Sequence, residues 1–238
     1  MGDEAPKLDF KLPPEVEKMF AERPGQHLEW GWMCLNTDIR FIRDYVESTA
    51  EAFDAAFERF DANVAEAAAK TPNWLGPEDH EHTRAFNLAE HFPRFAWQAT
   101  FVAIYSFLED QMIRVAGGLG RALELKLTPD DLRYGRIFAA KTYLKELCGI
   151  DFPEAKHPWQ EILKYNPIRN AIVHGNGHVW AKDHKMIANY ARGKKSIDYV
   201  NDRIRLSKEF CLEAVENVDK LLSELYTLAL AKIPKDPE

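Results

Sequence analysis

The sequence predicts an all-α fold, a helical bundle with a small β-hairpin before the last helix. Three observations predict it. Apolar residues recur at helical spacing through most of the chain. Between His178 and Leu206 alone the period shortens to alternating runs, Ile197–Tyr199 and Ile204–Leu206 around Gly193, which suggest a hairpin. No internal repeat, low-complexity segment or linker divides the 238 residues.

The opening 30 or so residues are rich in proline and charge, with one short helix expected near 14–22. A long amphipathic helix is expected from Thr37 to Lys70, with Thr37 or Asp38 as its cap. Its apolar seam is Ile39, Ile42, Tyr45 or Val46, Thr49 or Ala50, Phe53, and Phe57 or Phe60, thinnest at Thr49 and Ala50. "TPNWLGPEDH" (71–80) reads as a turn, and a second helix is expected over 77–91, interrupted at Pro93. The central helix follows, with Trp97, Phe101, Ile104, Tyr105, Leu108, Met112 and Val115 on one broad face and Gly117–Gly118 as its stop.

Thr128, Pro129 and Asp131 signal the start of another helix that ends at Gly149. One more runs from Pro158, and Asn166–Pro167 is a local restart that bends the chain away from "WQEILKY". "AKDHKMIANYAR" is consistent with part of the hairpin region or with a helical turn or two. Ser207 caps the last helix, whose seam is Phe210, Val215, Val218, Leu221 or Leu222, Leu225 and Leu228. Residues 1–93 are expected to form a helical extension packed on a domain spanning 94–238.

A chain of this length buries enough surface to need no covalent staples. Its three cysteines, Cys34, Cys148 and Cys211, are far apart and match no metal or redox spacing, which points to buried thiols in a reducing compartment. No apolar run suits a signal peptide or a membrane span, so a cytoplasmic protein is expected. The formal charge is −7, which on its face disfavours a polyanionic partner. Yet Arg136–Lys208 holds about fourteen Lys and Arg against about seven Asp and Glu. That local excess fits a surface for a phosphate backbone, or an ordinary solvated face.

"IRNAIVHGNG" (168–177) concentrates the chemistry. Ile168 and Ile172 are four apart and face inward. Asn170 and His174 are four apart on another face, so the amide can orient the imidazole. Arg169 lies five residues before His174, roughly 140° around an ideal helix. The two converge only if the helix ends at His174, or if a second copy of the chain supplies the partner. Helix closure alone accounts for the same residues, since cationic side chains favour a helix C-terminus. On the central helix, Glu109 borders the buried sector and needs a partner. Arg169 is one candidate; Arg114 or solvent is the other. Asp110 points outward.

"RNAIVH" resembles the Arg–x4–His motif, with Asn directly after Arg, of the HEPN superfamily of helical ribonuclease and nucleotide-binding domains. "YSFLED" with its acidic residue, the glycines after His174, and "RIRLSKEF" leading into a long final helix are similar to the same family, over roughly 94–230. The resemblance implies a homodimer whose two Arg–x4–His helices face each other across a cleft. It further implies a metal-independent endoribonuclease, of the kind found as toxins or phage-defence effectors, with no cofactor. Arg169 and His174 would be catalytic, Asn170 supporting and Glu109 orienting. The acidic balance of the chain would suit a neutralising partner, such as a nucleotidyltransferase-type antitoxin or a defence complex. The alternative within the family is a non-catalytic helical module that binds RNA, a nucleotide or a protein.

Other signals carry less. "HEHTR" (80–84) narrowly misses the zinc pattern H-E-x-x-H, its fifth residue being Arg. His174 and His178 with glycines between them make a poor metal site. "AGGLG" follows a helix rather than a strand and lacks the Lys-Ser/Thr of a phosphate loop.

Overall fold

A computed structural model describes residues 25–70, 83–84 and 87–233. The short helix expected near 14–22, the turn over 71–80 and most of the helix over 77–91 fall outside them. Among the described residues there are six α-helices and one antiparallel hairpin, placed before the last helix as predicted. None of these helices is long and apolar enough to cross a membrane.

Helix α1 spans Gln26–Lys70 and begins well before the expected cap. Leu28 and Leu35 extend the seam of Ile39, Val46 and Ala50 backward, all five buried, so Thr37 and Asp38 lie inside the helix. A π-helical turn, Asn87–His91, leads into the central helix α2, Phe92–Ala122. Pro93 sits in its first turn, where a missing N–H costs nothing. All seven residues of the predicted face are buried.

The expected stop at Gly117–Gly118 is wrong, because α2 continues to Ala122. Its glycines serve close approach instead. A Cβ on Gly118 would lie 2.9 Å from Leu28 Cδ2 of α1, and one on Gly120 would overlap the Tyr143 hydroxyl.

The start signal at Thr128 is real but caps only a single 3-10 turn, Pro129–Asp131. The Asp131 carboxylate accepts from Thr128 N–H (2.7 Å) and Oγ1 (2.8 Å). Leu132 then turns extended (ψ 130°), so the expected single helix is broken. Helix α3, Arg136–Thr142, starts afresh after Gly135 and runs into a π-helical turn, Tyr143–Leu147.

Helix α4, His157–Gly175, contradicts the expected restart: it passes through Asn166–Pro167 without ending. Pro167 removes one ladder hydrogen bond, a cost of about 3 kcal/mol. Ile162, Tyr165, Ile168 and Ala171, on both sides of it, are all buried. At roughly 1.5–3 kcal/mol for each fully buried large side chain, that shared face outweighs the proline. Asn166 does not cap; its Oδ1 accepts from the Tyr105 hydroxyl at 3.3 Å.

"HKMIANYAR" is helical, forming α5, His184–Arg192. The hairpin pairs β1, Ile197–Val200, with β2, Arg203–Leu206, in the register Ile197↔Leu206 to Val200↔Arg203. Asn201 and Asp202 both take positive φ (50° and 58°), the geometry of a type I′ turn. Ser207 caps α6, Lys208–Lys232, accepting from Phe210 N–H.

Helix α2 lies at the centre and packs on α1, α3, α4 and α6. The core junction of α2, α4 and α6 is a ring cluster: Phe101, Tyr165 and Phe210, with centroids 5.2–5.7 Å apart. A polar pin joins α4, α5 and α6 beside it. Buried Glu161 accepts from Tyr190 (2.7 Å) and Lys164 (2.7 Å), and Lys194 lies between it (3.0 Å) and Glu213 (2.8 Å). Burial alone pushes the Glu161 carboxyl up; the hydrogen bonds from Lys164, Tyr190 and Lys194 outweigh it and hold its pKa at about 2.

Candidate functional site

Arg169 lies two residues past Pro167 on α4, beside the buried Ile168, and faces α2. Its guanidinium sits 5.9 Å from the ring centroid of Tyr105. Its Nη2 lies 3.9 Å from Glu109 Oε2, and its Nη1 donates to Asn170 Oδ1 at 3.1 Å. The partner expected for Glu109 is therefore Arg169; Arg114 pairs with Asp110 (2.6 Å), whose side chain is half exposed. At 3.9 Å the Glu109–Arg169 pair is an ion pair and not a hydrogen bond. Most of the five guanidinium donors thus remain available. Nε is buried without a hydrogen-bond partner among the described residues.

Tyr105 completes this arrangement from below. Burial raises its pKa, Glu109 raises it further, and Arg169 pulls the other way; the net shift is upward, so the phenol stays protonated. It donates to Asn166. Tyr105, four residues before Glu109, shares a face of α2 with it, and spacing alone gave it no part beside Arg169.

His174 sits in the last turn of α4 and is exposed. The helix passes through it and ends at Gly175, after which Asn176 adopts left-handed geometry (φ 49°). Asn176 N–H and Gly177 N–H donate to the carbonyls of Ile172 and Ala171, so the helix end is closed by backbone alone. The expected contact between Asn170 and His174 is absent. Asn170 bonds Arg169 and makes no hydrogen bond to His174. Arg169 and His174 stay roughly 140° apart around an unbroken helix, so one chain does not bring them together.

The chain after His174 is tied down at several points. His178 N–H donates to Gly175 O (2.9 Å) and Val179 N–H to Asp202 O (2.9 Å). His178 Nδ1 also donates to Asp202 O (3.2 Å), and the Asp202 carboxylate accepts from Tyr199 (3.0 Å). Gly177 needs its positive φ of 82° and its lack of a Cβ, which would lie 2.7 Å from Gln98 Nε2. The hairpin tip is thereby fixed against the end of α4.

A cleft of about 1270 Å³ lies elsewhere, between α1, α2 and the chain after it. Trp30, Phe41, Arg114, Arg121 and Tyr143 are among its lining residues, and none of the four predicted site residues is. Comparison with protein-family models, with curated proteins and with solved structures finds no match for this chain.

Proposed function

We propose that the chain is a metal-independent endoribonuclease of HEPN type that works as a homodimer. The observation that carries this reading is the braced Arg169. Tyr105, Glu109 and Asn170 hold its guanidinium and leave donors free, while His174 stands exposed five residues along the same helix, without a hydrogen bond or ion pair among the described residues. An arginine fixed in this way suits a phosphate whose charge grows in the transition state. Because α4 is unbroken, Arg169 and His174 act on one phosphate only when a second α4 faces the first.

In the proposed reaction one His174 takes the proton from a ribose 2′-hydroxyl as that oxygen attacks phosphorus. The bond to the 5′-oxygen breaks, and that oxygen leaves with a proton from the partner subunit's His174. Arg169 balances the non-bridging oxygens. The products are a 2′,3′-cyclic phosphate and a 5′-hydroxyl, and a positioned general acid or base is typically worth roughly 10²–10⁴-fold.

The test is RNA cleavage in EDTA by the wild type, beside His174→Ala and Arg169→Ala variants matched for folding by circular dichroism. A loss of at least about 100-fold in both folded variants, with cyclic-phosphate ends, is expected. Equal cutting by the variants, or an uncut RNA panel, would sink the reading.

A non-catalytic module is the second reading, favoured by the cleft lined by Trp30, Arg114 and Arg121. It predicts ligand binding that Arg121→Ala weakens and Arg169→Ala leaves unchanged.

A further inference from the structure

The hairpin carries a surface that packing does not explain. His178 and Arg203 pair as an antiparallel bridge, and Val200 lies opposite Arg203 in the hairpin register. Directly opposed residues project from the same face, so His178, Arg203 and Val200 stand side by side, all exposed. Trp180, two residues past His178, is also exposed. Trp180 is 53% exposed and Val200 58%. Trp180 and Val200 thus offer apolar area at this end of the molecule that a ligand can cover.

The charge around these residues is predominantly positive. From His178 to Leu206 there are seven Lys and Arg (Lys182, Lys185, Arg192, Lys194, Lys195, Arg203, Arg205) against three acids (Asp183, Asp198, Asp202), in a chain whose net charge is −7. Lys194 and Arg205 are paired with acidic side chains. Among the described residues Lys182, Lys185 and Arg203 make no hydrogen bond or ion pair through their side chains. Asp198 sits opposite Arg205, and the Asp202 carboxylate accepts from Tyr199. An exposed indole among unneutralised cations fits a ligand with flat aromatic groups strung on a polyanion.

We infer that this face binds unpaired RNA, with Trp180 stacking on a base and Arg203, Lys182 and Lys185 contacting phosphates. The inference rests on the ribonuclease reading for the identity of the polyanion. Six residues separate Trp180 from His174, so their backbones are at most about 22 Å apart, roughly six stacked nucleotides at the duplex rise. A strand held here would therefore pass close to His174. Unpaired RNA is preferred because a duplex hides the faces of its bases, while an exposed aromatic ring stacks on any unpaired base.

The experiment uses the full chain in a non-cutting His174→Ala background, with fluorescence anisotropy on a labelled unpaired RNA and on a duplex of equal length. Trp180→Ala is expected to weaken binding of the unpaired strand by about tenfold. Duplex binding should change less than about twofold, and Trp180→Phe should restore most of the loss. The Lys182→Ala/Lys185→Ala pair should lower the slope of log affinity against log salt by about 1.4. Trp180 dependence without any cleavage by the wild type supports the surface and removes the nuclease. Cleavage by the wild type with Trp180→Ala binding unchanged keeps the nuclease and overturns the surface. No binding at low salt, or an altered oligomeric state in place of altered affinity, also overturns it.

Discussion

Arg169 shows how little a single residue type says without its neighbours. Its side chain is 26% exposed, and what makes it a candidate is the bracing by Tyr105, Glu109 and Asn170. Glu109→Gln keeps the shape and removes the charge. Cleavage should fall by about tenfold while thermal stability changes by no more than about 1 kcal/mol, since a partly exposed pair contributes little. A KM rise without a kcat change would instead assign Glu109 to binding alone. Gly177 belongs to the same scale. Gly177→Ala puts a Cβ into a position at φ 82° and against Gln98 Nε2. Left-handed strain of about 1–2 kcal/mol and loss of the Gln98–Ile204 hydrogen bond, about 1 kcal/mol, predict a stability loss of about 2–3 kcal/mol in denaturant melts.

At the scale of elements, α4, α5 and α6 are joined through Glu161. Removing it with Glu161→Ala strands the Tyr190 hydroxyl and leaves Lys194 with Glu213 alone, and urea unfolding should show a loss on the order of 3 kcal/mol. The pH dependence has a definite sign. Glu161 has a folded pKa near 2 against an ordinary 4.5, so its contribution is present above pH 4.5 and lost as pH falls toward 2. Wild-type stability should therefore drop over that window, and Glu161→Ala should flatten part of the drop. The glycines of α2 give a second check. Gly→Ala within a helix ordinarily gains up to about 1 kcal/mol. Gly120→Ala should reverse that sign, because the added carbon collides with Tyr143. A raised melting temperature would show that Tyr143 yields instead.

For the whole molecule, the proposed chemistry requires two copies. Each chain has a mass of 27.4 kDa, so sedimentation should give about twice that under the conditions where RNA is cut. Specific activity should fall on dilution below the dimer's dissociation constant; activity that is constant with dilution while the protein sediments as a monomer refutes the composite site. Much of the molecule follows from local pattern. The face of α2, the Ser207 cap and the hairpin at 197–206 were legible because period and capping are short-range properties. Leu28 and Leu35 also carried the seam of α1, but the Pro- and charge-rich start obscured it.

By itself the sequence determined the helical class, the buried face of α2, the hairpin before a capped last helix and the four side chains worth testing, since all of these are written in spacing along the chain. Tertiary structure alone decided the rest. Gly118 and Gly120 are contact glycines rather than stops because α1 and Tyr143 press against them. Pro167 lies inside a helix because burial on both sides of it outweighs one lost hydrogen bond. Arg169 meets Tyr105 and Glu109 because α2 and α4 cross where they do. Such outcomes depend on which distant residues share a core, and pairwise packing across some sixty residues of chain leaves no mark on local periodicity.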